Sequence, residues 1–231
     1  MTNSQFRIWE IDSLRGIAIL LMVVFHLVFD LAVFGGYPLN YMDGFWYYEG
    51  KLSAIMFMTI AGVSSTLSVH YFRRALVVFA CGMLITLVTY FYDPQTYIRF
   101  GILHMLGSCM LLFPFIKNLK SGWLVAAGTI AIASGQWAAQ FTGHFPLLLP
   151  FGVTTPDFTS LDYYPLLPWS GFFLYGAALG QLLYKKRRSL IPQPACLQPL
   201  TAIGRHPLTV YLIHQPVLLA ILYIWHRFNR G

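Results

Sequence analysis

Of the 231 residues, 57% are hydrophobic and only 10% are charged, whereas a soluble domain carries about 25% charged residues. This excludes a soluble core and points to an all-α, polytopic helical bundle in a membrane. The net charge of +7 is not a nucleic-acid footprint, because Lys and Arg cluster between apolar segments, where they report topology. Cys81, Cys109 and Cys196 show no metal or redox spacing, so neither a disulfide framework nor a metal site is expected.

Residues 1–13 are polar and include Arg7, Trp9 and Glu10; they are expected to form a short interfacial helix. They do not read as a signal peptide, since Glu10 and Asp12 precede the apolar run. The first span covers 14–35 and stops at Gly35-Gly36. The loop 37–50 is aromatic and acidic, suiting either a headgroup belt or sugar stacking. The second span covers 52–71, with small residues Ala61, Gly62, Ser64 and Ser65 that permit close helix contact. The third covers 75–92, ending at Asp93-Pro94, and the fourth covers 98–116 with His104 between Gly101 and Gly107. Lys117 and Lys120 bracket a tight turn into the fifth span, 121–141.

Residues 142–166 form the longest connection, proline-rich and acidic, and a loop of this length is commonly functional. Its apolar stretch 143–153 is too short to span and is read as a candidate re-entrant segment. The sixth span covers 167–184. Lys185-Lys186-Arg187-Arg188 and a Pro-rich connector, 191–199, precede the seventh, 207–225. Placing the N-terminus in the cytoplasm puts Arg7, Arg73, Arg74, Lys117, Lys120, Lys185–Arg188 and Arg205 inside. Only Lys51, Arg99, Arg227 and Arg230 are left outside. The basic run serves this topology or, as a second use, an anionic ligand such as a nucleotide. The whole chain, 1–231, is read as one transmembrane domain.

The first span carries Asp12, Arg15, His26 and Asp30. Arg15 and His26 fall within about 20° of one face and roughly 16 Å apart along the axis, with Asp30 one turn beyond His26. Ionisable residues within a membrane helix face a cavity or a partner, which makes them site candidates. Asp12 is placed to pair with Arg15 at one turn's spacing. His26 lies roughly 18 Å from the cytoplasmic end, His104 about 21 Å and His214 roughly 12 Å. Depth thus allows all three to line one cavity, but not whether their faces converge. His104 reads equally as a packed structural histidine, and His214 as a partner for backbone loosened at Pro216. His70, His144, His206 and His226 fall near the surfaces.

RIWEIDSLRGIAILLMVVFH (residues 7–26) resembles the heparan-α-glucosaminide N-acetyltransferase catalytic-domain family. It is also similar to the type 3 acyltransferases, whose first span carries Arg, ten residues, then His. FGILHMLG (100–107), DYYPLLPWSGFFLYGAALG (162–180) and GRHPLTVYLIHQP (204–216) agree in order, so the resemblance covers nearly the whole chain. It implies transfer of an acetyl group from cytoplasmic acetyl-CoA, the co-substrate, to an amine or hydroxyl of a sugar or glycan acceptor across the bacterial inner membrane. The lysosomal enzyme is longer, carries Asn where His26 stands, and has its catalytic histidine in the following loop. That loop here, 37–50, has none. The catalytic role therefore passes to His26 by analogy with the type 3 family, as general base or as a transient acetyl-histidine.

On this reading Arg15, with Arg73 and Arg74, holds CoA phosphate, and a planar guanidinium suits that task. Asp30 either orients His26 or binds the acceptor. His104 or His214 polarises the thioester oxygen. Asp162 and Trp169 either form an outer acceptor pocket or act as a loop-capping aspartate and a belt tryptophan. Two competing readings are haem b held between His26 and His104, and a carrier for a small anionic or sugar solute. The oligomeric state stays open, a homo-oligomer among the alternatives.

Overall fold

The computed structural model describes residues 7–143 and 145–229. Residues 1–6, His144 and Arg230, all assigned above from sequence, lie outside them. Seven helices of 15 to 25 residues occupy the expected apolar segments: α1 (Trp9–Val33), α2 (Gly44–Leu67), α3 (Tyr71–Tyr92), α4 (Ile102–Ile116), α5 (Ser121–Ala138), α6 (Leu166–Leu183) and α8 (Pro207–Asn229). A short helix, α7 (Gln198–Gly204), precedes the last. No strand forms among the described residues, only two isolated bridges.

Five helices, α1, α2, α3, α6 and α8, are long and apolar enough to cross a membrane. α4, at 15 residues, is about 22 Å long against a hydrocarbon core of about 30 Å. α5, of 18 residues and rich in Ala, Gly and Ser, is not among those five. Phe91, Phe115, Tyr223 and Phe228 point outward, as side chains do where the surroundings are lipid rather than water. The chain is a multi-pass membrane protein.

Two expectations about boundaries need correction. Trp9–Ser13 form the first turns of α1 rather than a separate interfacial helix. Glu10 and Asp12 suit that position because the helix N-terminus carries partial positive charge. Residues 44–50, read as loop, belong to α2. The loop stops earlier because Asn40 folds it into a turn, accepting from the Met42 and Asp43 amides and donating to the Asp43 carboxylate. Trp46, Tyr47, Tyr48 and Glu49 therefore belong to the first turns of a helix.

The chain divides into two compact units. The first comprises residues 1–57 and 188–231: α1, the start of α2, the connector, α7 and α8. α7, not expected from the sequence, begins at the end of the Pro-rich connector 191–199; Pro199 fits its first turn, where no amide donor is required. It packs on the start of α1 through glycines. A Cβ on Gly16 would meet the Leu200 backbone, and one on Gly204 the Asp12 carbonyl. Ser13 Oγ and Thr201 Oγ1 share a buried hydrogen bond of 2.8 Å. Glu10 accepts from the Leu190 and Ile191 amides, and Trp9 Nε1 donates to the Ile191 carbonyl. α2 runs antiparallel to α1: Ser53 Oγ donates to the Ala18 carbonyl, while Gly50 abuts the Phe25 ring.

The second unit is residues 58–187. Small residues again set its contacts, as they do where helices pack without a hydrophobic drive. Gly62 rests on Phe173 and Ala177, Gly176 on Thr59, Gly128 on Tyr175, and Gly107 on Phe79. The segment 143–153 forms a 3₁₀ helix, Pro146–Phe151, closed by a Thr142–Thr154 bridge. Tyr163 Oη donates to the Leu149 carbonyl at 2.7 Å. Burial pushes that phenol up to about 12, so it remains a donor at any working pH.

Candidate functional site

The first unit builds its polar centre from α1 and α8. His26 sits three turns along α1 from Arg15, on the face turned to α8. Its Nδ1 lies 2.8 Å from the Met22 carbonyl, one turn back. His214 on α8 does the same: its Nδ1 lies 2.6 Å from the Tyr211 carbonyl, in the turn that Pro216 loosens. A carbonyl only accepts, so each Nδ1 carries the proton. Each neutral ring then presents Nε2 as a lone pair. The two rings meet edge to face, centroids 4.7 Å apart.

One turn beyond, Asp30 is buried at 1% exposure. Its Oδ1 accepts from Gln215 Nε2 at 2.6 Å. Asp30 thus meets Gln215 rather than His26. The imidazole folds back along its own helix to Met22, which turns Nδ1 away from the following turn. Three polar atoms here are buried without a hydrogen-bond partner: Asp30 Oδ2, His214 Nε2 and Gln215 Oε1. Buried polar groups are nearly always satisfied, so this cluster is where ordered water or a polar ligand would be held.

Arg15 pairs with Asp12 at 2.7 Å, as the one-turn spacing predicts, and also donates to the Gly204 carbonyl. Arg15 is therefore anchored by α1 and α7 together.

The remaining predicted residues belong to the second unit. Gly101 N donates to His104 Nδ1, and His104 Nε2 lies 3.2 Å from Thr86 Oγ1, whose hydroxyl donates to the Ile98 carbonyl. His104 spends Nδ1 closing the start of α4 and Nε2 on Thr86 of α3, and neither is left to ligate a haem iron. Asp162 Oδ2 accepts from the Ile102 amide, closing the same helix end. Trp169 meets Tyr164 edge to face and Phe172 at a tilt. Arg73 and Arg74 are exposed in the first turn of α3, where Arg74 reaches Ser68 Oγ.

The family profile of the heparan-alpha-glucosaminide N-acetyltransferase catalytic domain matches residues 7–216. The chain belongs to this family. The match begins before Asp12 and ends just after Gln215, so it encloses the whole α1–α8 centre. No curated protein and no solved structure matches the chain significantly. Membership of the N-acetyltransferase family makes the chain a membrane transferase. Among the described residues no group of three or more His, Cys, Asp or Glu is placed to hold a metal ion.

Gln215 is the residue of this centre that sequence reasoning missed as a site candidate. Its amide beside a histidine on an apolar helix was the available signal, since an uncharged polar side chain there also needs a partner.

Proposed function

We propose that the chain is a transmembrane acetyltransferase. It takes the acetyl group of cytoplasmic acetyl-CoA and places it on an amine or hydroxyl of a sugar-type acceptor at the outer side. Family membership supports acetyl transfer, and the shared tautomer of His26 and His214 carries the chemical part of the reading. An imidazole with Nδ1–H fixed on a carbonyl is set up to accept a proton at Nε2.

In the proposed step the acceptor N–H or O–H attacks the thioester carbonyl carbon while His26 Nε2 takes its proton. The tetrahedral intermediate collapses, the C–S bond breaks, and the imidazolium returns the proton to the CoA thiolate. His214, in the same tautomer, is a second acceptor rather than a donor to the thioester oxygen. Asp30, one turn away, favours the transient imidazolium. All seven long helices cross the plasma membrane, with the N-terminus cytoplasmic by the positive-inside rule. Arg15 then stands at the cytoplasmic mouth, roughly 16 Å from His26, a distance an extended pantetheine arm covers. Arg73 and Arg74 add to the basic cytoplasmic surface.

The test uses purified protein in liposomes with acetyl-CoA and D-glucosamine as probe acceptor. The His26→Ala variant is expected to lose about 100-fold or more in turnover while still binding acetyl-CoA. Near-normal turnover would remove His26 from the mechanism. Calorimetry should show acetyl-CoA binding by the wild type and at least about tenfold weaker binding by Arg15→Ala. A folded wild type that binds none would overturn the acetyl-CoA reading.

A further inference from the structure

Glu49 stands one turn before Ser53 on α2, within the first unit. It is only 8% exposed, and both its carboxylate oxygens are buried without a hydrogen-bond partner. Lys51, two residues on, lies over the Tyr47 ring, 5.4 Å from its centroid. A buried carboxylate with two empty oxygens is costly unless something supplies donors to it.

The surrounding contacts place Glu49 on its helix relative to α1. Ser53 reaches the Ala18 carbonyl and Gly50 abuts Phe25, so this face of α2 is turned to α1. The helices are antiparallel, so one turn back from Ser53 corresponds to one turn on from Ala18, at Met22. Side chains on a helix lean toward its N-terminus. Glu49 therefore leans from the Met22 level toward His26, while the His26 ring leans back toward Met22, whose carbonyl holds it. Both side chains thus belong to the level of the Met22–His26 turn of α1, with no direct bond between them.

We propose that Glu49 anchors the acceptor. Its two oxygens take paired donors, either adjacent hydroxyls or an ammonium group, and so hold the nucleophile beside His26 Nε2. The inference rests on the acetyltransferase reading and narrows it: the acceptor is a neutral or cationic, donor-rich sugar, and an anionic one is rejected by the carboxylate. Glu49 touches the acceptor and not the thioester.

The full chain in nanodiscs tests this with acetyl-CoA and D-glucosamine. Glu49→Gln should raise KM for glucosamine tenfold or more and leave KM for acetyl-CoA unchanged. Glu49→Asp, which keeps the charge, should recover part of the loss. Without acceptor, Glu49→Gln should unfold at a higher temperature than the wild type, because an unpartnered charge has gone. Unchanged glucosamine KM, or a lowered unfolding temperature, in a chain whose wild type is active would overturn the assignment of Glu49 alone. A folded wild type that moves no acetyl group to glucosamine would overturn the acetyltransferase reading and this inference together.

Discussion

The centre of this protein depends on a few side-chain hydrogen bonds whose direction is chemically forced. His26 and His214 each face a backbone carbonyl through Nδ1, which leaves Nε2 basic in both. Asp30 has one bonded oxygen, on Gln215, and one bare. Replacing Gln215 with Leu strips the last donor from a buried carboxylate. A hydrogen bond to a charged group contributes about 1.5–3 kcal/mol, so Gln215→Leu should lose stability of that order and lower acetyl transfer. Thermal unfolding and turnover on one preparation check both. His104 gives the contrasting case. One of its nitrogens closes the start of α4 and the other ties it to Thr86 of α3, so His104→Ala should cost about 1–3 kcal/mol of stability and leave acetyl-CoA affinity unchanged. Calorimetry that found acetyl-CoA binding lost in a still-folded His104→Ala would return His104 to the active site.

At the level of elements, glycine decides how closely helices approach. α1 and α7 meet where Gly16 faces Leu200 and Gly204 faces Asp12. That contact also carries the Arg15 guanidinium, which donates to Gly204 and Asp12 at once. A Cβ at Gly204 has backbone in front of it and no flexible side chain to move. Gly204→Ala should therefore destabilise by about 1–3 kcal/mol, as overpacking does. It should also weaken acetyl-CoA binding, because α7 and Arg15 shift together. A melt and a titration of the same variant separate these effects; unchanged values in both would deny α7 its part in placing Arg15.

For the whole molecule, sidedness can be tested at one residue. Cys196 is exposed in the connector between the basic run and α7, whereas Cys109 is buried. With the N-terminus and the Lys185–Arg188 run in the cytoplasm, a membrane-impermeant maleimide should label Cys196 in inside-out vesicles and spare it in right-side-out ones. The reverse pattern would invert the topology and put Arg15 on the wrong side for cytoplasmic CoA. Among the helices, α4 is the short one at 15 residues. Its polar neighbours Asp162 and Thr86 sit at its start, where a short helix leaves backbone amides to be satisfied.

The sequence by itself determined the positions of the seven long helices, because runs of apolar residues between charged or proline-rich breaks are a strong local signal. It also determined that Arg15, His26 and Asp30 share a face, since helical geometry is fixed at 3.6 residues per turn, and that Asp12 pairs with Arg15. It misplaced the start of α2 because the helix runs through Glu49 and Lys51, and it missed α7 because seven residues are too few to show a period. Only the tertiary structure decided that His214 rather than Asp30 meets the His26 ring, that Gln215 takes Asp30, and that His104 and Asp162 close α4. Those pairings join residues up to 188 positions apart. They depend on the rotation and depth of one helix against another, which small residues set through packing and no local pattern encodes.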